Sequence, residues 1–315
     1  MTPASFLRLV EEYLAYRRGL GFELETPAWL LRDFARHVDR CGHRGPLTSE
    51  LATGWALSSR SADPAQPARR LAAVRQFARY LALSEPATEV PPEGLLGRVP
   101  RRRRPHIYSD AELAALLEQA RRLLPRRGLR PRTYVAFFSL LAVTGLRLSE
   151  ACRLERGDVD LDTGVLTVRA GKFRKARLVP LHPSATRALA RYAADRDARC
   201  GVTGRFFRTE RFPALTPAAV EKTFSRIRQR LGWSARGRAR RPRIHDLRHT
   251  FAVRRLLGWY EEGADLEREI LAFSTYLGHA KVSDTYWYLS GVPELLAIAA
   301  ERFERFARPE QEPRS

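Results

Sequence analysis

The last quarter of the sequence holds residue types that could together attack a phosphodiester. His245 and Arg248 stand three residues apart in IHDLRHT, a spacing that places both on one face of a helix. His279 follows in LGH, and Tyr288 comes nine residues later in DTYWYLS. A guanidinium can bind phosphate oxygens, an imidazole can move a proton, and a tyrosine hydroxyl can act as nucleophile. This set predicts attack on a phosphate without a metal ion.

A zinc site is the competing interpretation of the same segment. His245 and His249 are four residues apart, as in the two-histidine helix of zinc hydrolases. The acid between them is Asp246 rather than glutamate, and Arg248 would place a cation beside the metal. We therefore favour phosphate over zinc, with a core histidine satisfied by the backbone as the alternative for His249.

An earlier segment, TGLRLSE, offers a second arginine. Arg147 follows a glycine at a predicted helix start, and Glu150 comes one turn later. The guanidinium of Arg147 can bind two phosphate oxygens while the carboxylate of Glu150 supports its orientation. Because an Arg/Glu pair at this spacing is usually a surface ion pair, the segment alone is a weak indication.

Length and charge indicate a two-domain protein that binds a polyanion. The chain has 315 residues, of which 44% are hydrophobic, enough for two buried cores. Its net charge of +21 exceeds what solubility requires, so nucleic acid is the expected partner. The longest apolar run, residues 134–143, is too short for a membrane helix, and the N-terminus lacks the pattern of a signal peptide. We expect a cytoplasmic protein, associated with the bacterial nucleoid when on DNA.

Apolar periodicity predicts a mainly α fold with a small three-stranded antiparallel sheet. An all-helical N-terminal domain is predicted over residues 1–85, a Pro- and Arg-rich linker over 86–105, and a second domain over 106–315. The strands of the second domain are predicted at 159–161, 165–168 and 176–181. Its helices are predicted from Ser109 or Asp110 onward, over 133–143, from about Ser149, and at 183–199, 216–231, 245–259, 266–277, 281–289 and 293–306.

The rarity of lysine is informative in so basic a chain. Only Lys172, Lys175, Lys222 and Lys281 are lysine, and the other basic positions are arginine. Arginine is a poor proton donor because its pKa exceeds ~12, so lysine is expected where a leaving group must be protonated. Lys172 and Lys175 both lie at the predicted β-turn, and this argument does not separate them.

Two arginine runs are predicted to lie along a DNA backbone rather than in solvated loops. One lies in the predicted linker and the other leads into His245. The predicted DNA-contacting residues are Arg101, Arg102, Arg103, Arg104, Lys175, Arg238, Arg240, Arg241 and Arg243, with Arg236 in the same run.

The order of these segments resembles the tyrosine recombinase, or phage integrase, family. TGLRLSE, GKFRKARLVPLH, HDLRHTFA, LGH and a tyrosine nine residues later follow the family's order over residues 106–290. The four-helix N-terminal part is similar to the family's SAM-like core-binding domain. Tyr286, Trp287 and Tyr288 are adjacent, and the family's spacing selects Tyr288 as the nucleophile.

The resemblance implies a role for each residue of the site. Arg147 and Arg248 would bind the non-bridging phosphate oxygens and stabilise the transition state, and His279 would hydrogen-bond the phosphate. Tyr288 would attack, leaving a 3′-phosphotyrosyl bond and a free 5′-hydroxyl. His245 would assist removal of the tyrosine proton.

Two departures from the family's pattern affect this assignment. The family places its general acid at Lys172, but Phe173 replaces the usual glycine after it, so Lys175 remains the alternative. The segment GWYEEGADLEREI, between Arg248 and His279, is longer than in compact members. It predicts an extended pair of helices.

The family's chemistry implies neither metal nor ATP, so no cofactor is expected. It implies double-stranded DNA as partner, a homotetramer in the synaptic complex and a monomer without DNA. The amphipathic helix over residues 293–306 either packs on its own domain or docks on a neighbouring subunit. A non-catalytic DNA-binding accessory protein on the same fold is the alternative function.

Overall fold

The protein is described by a computed structural model covering residues 5–22, 24–97, 105–169, 176–202, 204–235, 241–279 and 281–291. Over these residues it is mainly helical with one three-stranded antiparallel sheet, which confirms the predicted fold class. The chain divides into two compact units, Met1–Arg102 and Arg103–Ser315. Within the described ranges, no helix combines the length and apolar character needed to cross a membrane.

Four helices form the first unit. They are α1 (Phe6–Gly19), α2 (Glu25–Arg40), α3 (Ser49–Leu57) and α4 (Gln66–Leu81). The hydroxyls of Ser5 and Thr48 accept backbone N–H groups at the starts of α1 and α3, where a helix leaves donors unpaired. At the centre, buried Trp55 packs edge-on against Phe34 and donates its indole N–H to Asp33. The apolar faces of the helices thus enclose a core of their own.

The described part of the predicted linker lies against this helical unit. The carbonyls of Pro91 and Pro92 accept hydrogen bonds from Arg75 at 2.8 and 2.9 Å. The carboxylate of Glu89 accepts the N–H of Ser49 at the start of α3, at 2.8 Å. Residues 88–97 therefore belong to the surface of the first unit, because they satisfy its donors.

The second unit contains the sheet and eight of the described helices. The strands β1 (Val159–Asp160), β2 (Val165–Val168) and β3 (Arg177–Pro180) lie in the order β1-β2-β3, with Leu166 opposite Val179. The helices are α5 (Asp110–Arg121), α6 (Leu129–Thr144), α7 (Leu148–Arg153), α8 (Pro183–Cys200), α9 (Pro217–Arg230), α10 (Asp246–Glu261), α11 (Leu266–Leu277) and α12 (Ser283–Gly291).

Helix α6 is the central element of the second unit. Most of its residues are buried, and Phe137 and Phe138 are completely so, while Arg132 and Val143 face solvent. Helices α5, α8 and α10 pack on it. A separate cluster, formed by residues of α10, α11 and α12, includes Leu256, Phe273 and Tyr288. These packings fix the ends of α6 and α11 and the start of α10, where the candidate site lies.

Candidate active site

Two helix ends hold two arginines next to each other. Helices α6 and α11 both end at a glycine in the left-handed conformation, Gly145 (φ +62°) and Gly278 (φ +68°). Arg248 is buried and donates to the carbonyls of Gly145 and Leu277, both at 2.7 Å. Arg147 donates to the carbonyl of Gly278 at 2.6 Å. Because carbonyls at a helix C-terminus carry partial negative charge, they are suited to hold guanidinium groups.

A buried carboxylate joins Arg147 to an arginine of the sheet. Glu150 accepts the backbone N–H and the Nη1 of Arg147 at 2.8 and 2.9 Å. It also accepts both Nη groups of Arg177 at 3.0 and 2.9 Å. Burial alone raises the pKa of Glu150, but hydrogen bonds and charge from Arg177, and then from Arg147, outweigh it and lower the pKa to about 2. Glu150 is therefore ionised and fixes the orientation of Arg147.

Arg177 is a site residue that the sequence does not reveal. It is the first residue of β3, and only 10% of its side chain is exposed. Besides its bonds to Glu150, it donates from Nε to the carbonyl of Tyr276 at 2.7 Å. These partners lie 27 and 99 residues away in the chain, so no local pattern marks the position.

Tyr288 lies on α12 and faces two histidines. The residue is 2% exposed, and its hydroxyl lies 3.1 Å from Nδ1 of His249. Its ring is nearly parallel to that of His279, with centroids 6.3 Å apart, and Nδ1 of His279 lies 2.7 Å from the hydroxyl of Thr285. Tyr286, by contrast, is 46% exposed. Of these two tyrosines, Tyr288 is the one for which the structure gives contacts with His249 and His279.

His245, at the start of α10, is an exposed residue whose ring nevertheless has many protein atoms around it. Its ring meets that of His249 edge to face, with centroids 4.9 Å apart. Protein atoms around the ring, and next the positive charges of Arg248 and Arg243, lower the pKa of His245. The neutral imidazole, which can accept a proton, is therefore favoured at pH 7.

The contacts near His245 do not resemble a metal site. Asp246, which would be the acid of a zinc hydrolase, is buried and accepts Nη2 of Arg243 at 2.7 Å. His249 is within hydrogen-bonding distance of the Tyr288 hydroxyl. Among the residues that the structure describes, no group of three or more His, Cys, Asp or Glu side chains is placed to hold a metal ion.

Several of the predicted residues lie outside the described part of the chain, and so does the predicted helix over 293–306. These residues are Lys172, Lys175, Arg101, Arg102, Arg103, Arg104, Arg236, Arg238 and Arg240. Of the predicted DNA-contacting arginines, Arg241 is exposed, and Arg243 is held by Asp246.

Known proteins share both the sequence and the fold. The sequence profile of the phage integrase family matches residues 110–292. The integrase/recombinase y4rB of Sinorhizobium fredii is 41% identical over 308 residues, which covers 96% of this chain and 98% of the relative. The tyrosine recombinase XerD of Bradyrhizobium diazoefficiens is 32% identical over 314 residues, which covers 94% of each protein.

Two solved structures have the same fold. The Tn1549 transposon integrase in complex with circular intermediate DNA aligns with a TM-score of 0.68 and 18% identity, covering 96% of this chain and all of that one. The post-cleavage complex of XerH recombinase with difH substrate aligns with a TM-score of 0.64 and 20% identity, covering 94% and 84%. With the family profile matching more than half of its length, the chain belongs to the phage integrase family. Within that family it is a tyrosine-type site-specific recombinase.

Proposed function

We propose that this protein cuts and rejoins double-stranded DNA at specific sites through a 3′-phosphotyrosyl intermediate. The main support is the convergence of Arg147 and Arg248, both held by helix-end carbonyls, with Tyr288 beside its histidines. Phosphoryl transfer needs cationic donors for the non-bridging oxygens and a nucleophile held close by, and the two arginines and Tyr288 support these roles. DNA as the partner is supported by the DNA complexes of the Tn1549 integrase and of XerH.

The chemistry follows from the residue types. Tyr288 attacks the phosphorus while the two arginines stabilise the charge on the non-bridging oxygens. Imidazoles on the tyrosine side, with His245 the one expected from the family resemblance, assist removal of its proton. Lys172, with Lys175 as the alternative, protonates the leaving 5′-oxygen. The phosphotyrosyl bond replaces the broken phosphodiester, so a second 5′-hydroxyl can reverse the step without ATP.

We extend the proposal to the assembly. The four-helix unit, predicted over residues 1–85, acts as the core-binding domain, and the basic linker follows the DNA backbone. The protein is a monomer alone and a homotetramer in the synaptic complex, where each subunit cuts one strand. A net charge of +21 supports a DNA-bound assembly of this kind, associated with the nucleoid.

Trapping the covalent intermediate tests the proposal. Selection of bound sequences from a random duplex library on immobilised protein supplies the target, which is then nicked so that the released fragment diffuses away. Wild type and Tyr286→Phe are expected to form a protein–DNA adduct that resists denaturant, and Tyr288→Phe is expected to form none. An adduct in Tyr288→Phe would contradict the nucleophile. DNA binding by wild type without any adduct would support the accessory function instead.

A further inference from the structure

We propose that His249 receives the proton of Tyr288 when that tyrosine attacks DNA. The inference rests on the proposed function, because it concerns the same nucleophile. Nδ1 of His249 lies 3.1 Å from the Tyr288 hydroxyl, and the two ring centroids are 5.5 Å apart. A general base must lie within about 2.6–3.2 Å of the atom it deprotonates, and His249 meets that criterion.

The position of His249 is set by the helix that also holds a phosphate ligand. His249 follows buried Arg248 on α10, is half-buried, and lies against His245 and Trp287, with ring centroids 4.9 and 5.6 Å away. Burial, and next the charge of Arg147, lower the pKa of Arg248 to about 10, and a negative charge on Tyr288 would act in the opposite direction because the two groups are close. One rigid element therefore places both the phosphate-binding guanidinium and the acceptor for the nucleophile's proton.

This arrangement separates the roles of the two neighbouring histidines. His245 occupies the position that the family resemblance associates with proton removal, yet it is exposed, and its ring contacts His249. Nδ1 of His249 lies within hydrogen-bonding distance of the tyrosine hydroxyl. We therefore assign His249 as the direct acceptor, with His245 beside it.

The step balances without another reactant. The O–H bond of Tyr288 breaks and its proton moves to Nδ1 of His249, which must start as the tautomer that carries hydrogen on Nε2. The phenolate oxygen forms a bond to phosphorus as the bond to the 5′-oxygen breaks. The leaving oxygen takes a proton from the lysine of the proposed function. In rejoining, the imidazolium of His249 returns its proton to the phenolate.

Single-turnover cleavage of the nicked target tests the role of His249. Glutamine at this position can still accept a hydrogen bond but cannot take up a proton. His249→Gln is expected to form the adduct about 100-fold more slowly, at the low end of what general-base catalysis contributes. His182→Gln, at an exposed position before α8, is the matched control and is expected to react at the wild-type rate. A wild-type rate in His249→Gln would overturn the inference.

A fluorinated tyrosine at position 288 separates proton transfer from packing. A fluorotyrosine whose hydroxyl ionises near neutral pH is already a phenolate and needs no proton acceptor. The rate loss caused by His249→Gln should then shrink to less than about tenfold. A loss that remains at about 100-fold means that His249 has a structural role, which overturns the inference. The inference is also overturned if fluorotyrosine reduces the rate loss of His245→Gln and not that of His249→Gln, because His245 is then the proton acceptor.

The failures of the two proposals are distinguishable. A wild-type protein that binds the target and never forms an adduct contradicts the proposed function, and the inference falls with it. An active wild type with an unaffected His249→Gln contradicts the inference alone. If His249→Gln does not fold, as judged by thermal melting and DNA binding, His249→Ala with added imidazole replaces it. Recovery of adduct formation supports the inference, and no recovery overturns it.

Discussion

At the scale of single residues, one carboxylate determines how the positive charge of the site is arranged. Glu150 has only 1% of its side chain exposed and binds both Arg147 and Arg177. The buried Arg177 is thus connected to Arg147 through their shared carboxylate. Arg177 also bonds to Tyr276 near the end of α11, so it connects β3 to the helix whose end holds Arg147.

Removal of Arg177 should destabilise the second unit. Arg177→Met leaves the buried carboxylate of Glu150 with one cation instead of two, and loss of one partner of a buried ion pair costs about 3 kcal/mol. Arg122→Met is the control, because its ion pair with Glu118 is about half exposed, and such pairs contribute little to stability. Urea unfolding monitored by circular dichroism measures both. Equal shifts in the two variants would contradict the buried role of Arg177.

The lowered pKa of Glu150 predicts a specific acid sensitivity. Because its folded pKa lies below the ordinary value, Glu150 contributes stability above pH 4.5 that is lost as the pH falls towards 2. A pKa lowered from 4.5 to about 2 corresponds to about 3 kcal/mol. Between pH 7 and pH 3 the melting temperature of wild type should therefore fall further than that of Glu150→Gln. Other carboxylates titrate in both proteins and contribute equally to both changes. An equal fall of the melting temperature in wild type and Glu150→Gln would therefore contradict the lowered pKa of Glu150.

The two lysines of the β-turn can be separated by changing the leaving group. If Lys172 is the general acid, Lys172→Arg should slow cleavage of ordinary DNA by at least ~100-fold, and Lys175→Arg should have a much smaller effect. Sulfur in place of the bridging 5′-oxygen leaves as a thiolate without a proton, so this substrate should restore the rate of Lys172→Arg. Rescue of Lys175→Arg instead would move the role to Lys175. The measurement is the single-turnover rate of adduct formation.

At the scale of elements, the end of α6 helps to determine where the two arginines of the candidate site lie. Gly145 has a positive φ, its carbonyl accepts a hydrogen bond from Arg248, and a Cβ there would lie 2.5 Å from Phe251. A side chain would therefore strain the backbone and displace an aromatic ring of α10. Both effects would move the helix start that carries the histidines.

Three glycine substitutions separate these two effects. Gly145→Ala is expected to destabilise the protein by about 2 kcal/mol or more, since it combines left-handed strain with overpacking. Gly263→Ala has the same strain (φ +72°) but open space, so about 1 kcal/mol is expected. Gly157→Ala has neither and should be nearly neutral. Thermal melting gives the order, and adduct formation should fall substantially only in Gly145→Ala. A neutral Gly145→Ala would contradict the proposed importance of this helix end.

Local signals in the sequence predict most of the described elements of the second unit. The strands and the helix over 266–277 agree closely with the structure, because turn residues, caps such as Ser109 and apolar periodicity all act within a few residues. The contacts that complete the site join residues that are far apart in the chain. Arg177 meets Glu150 across 27 residues, and His249 meets Tyr288 across 39. Such pairs depend on how the elements pack, which periodicity does not specify.

The segment between Arg248 and His279, expected from the family resemblance to form an extended pair of helices, follows local signals. Helix α10 continues to Glu261, Gly263 turns the chain with a positive φ, and Asp265 accepts N–H groups at the start of α11. The segment GWYEEGADLEREI thus forms the end of α10, the turn and the start of α11.

At the scale of the whole molecule, net charge does not show which cations meet DNA. Many of the arginines are engaged within the protein, as Arg243 is with Asp246 and Arg122 is with Glu118. A net charge of +21 nevertheless implies that other cations remain available to phosphates. The run Arg101–Arg104 is our candidate for such contacts.

The salt dependence of DNA binding tests that candidate. Each phosphate contact contributes about 0.9 to the slope of log K against log salt, so Arg103→Ser/Arg104→Ser should reduce the slope by about 2. Arg121→Ser/Arg122→Ser removes the same charge from two arginines already paired with Glu118, and its slope should stay at the wild-type value. Fluorescence anisotropy over a series of salt concentrations measures both. Equal slopes in the two variants would mean that net charge alone, and not the position of the linker arginines, governs binding.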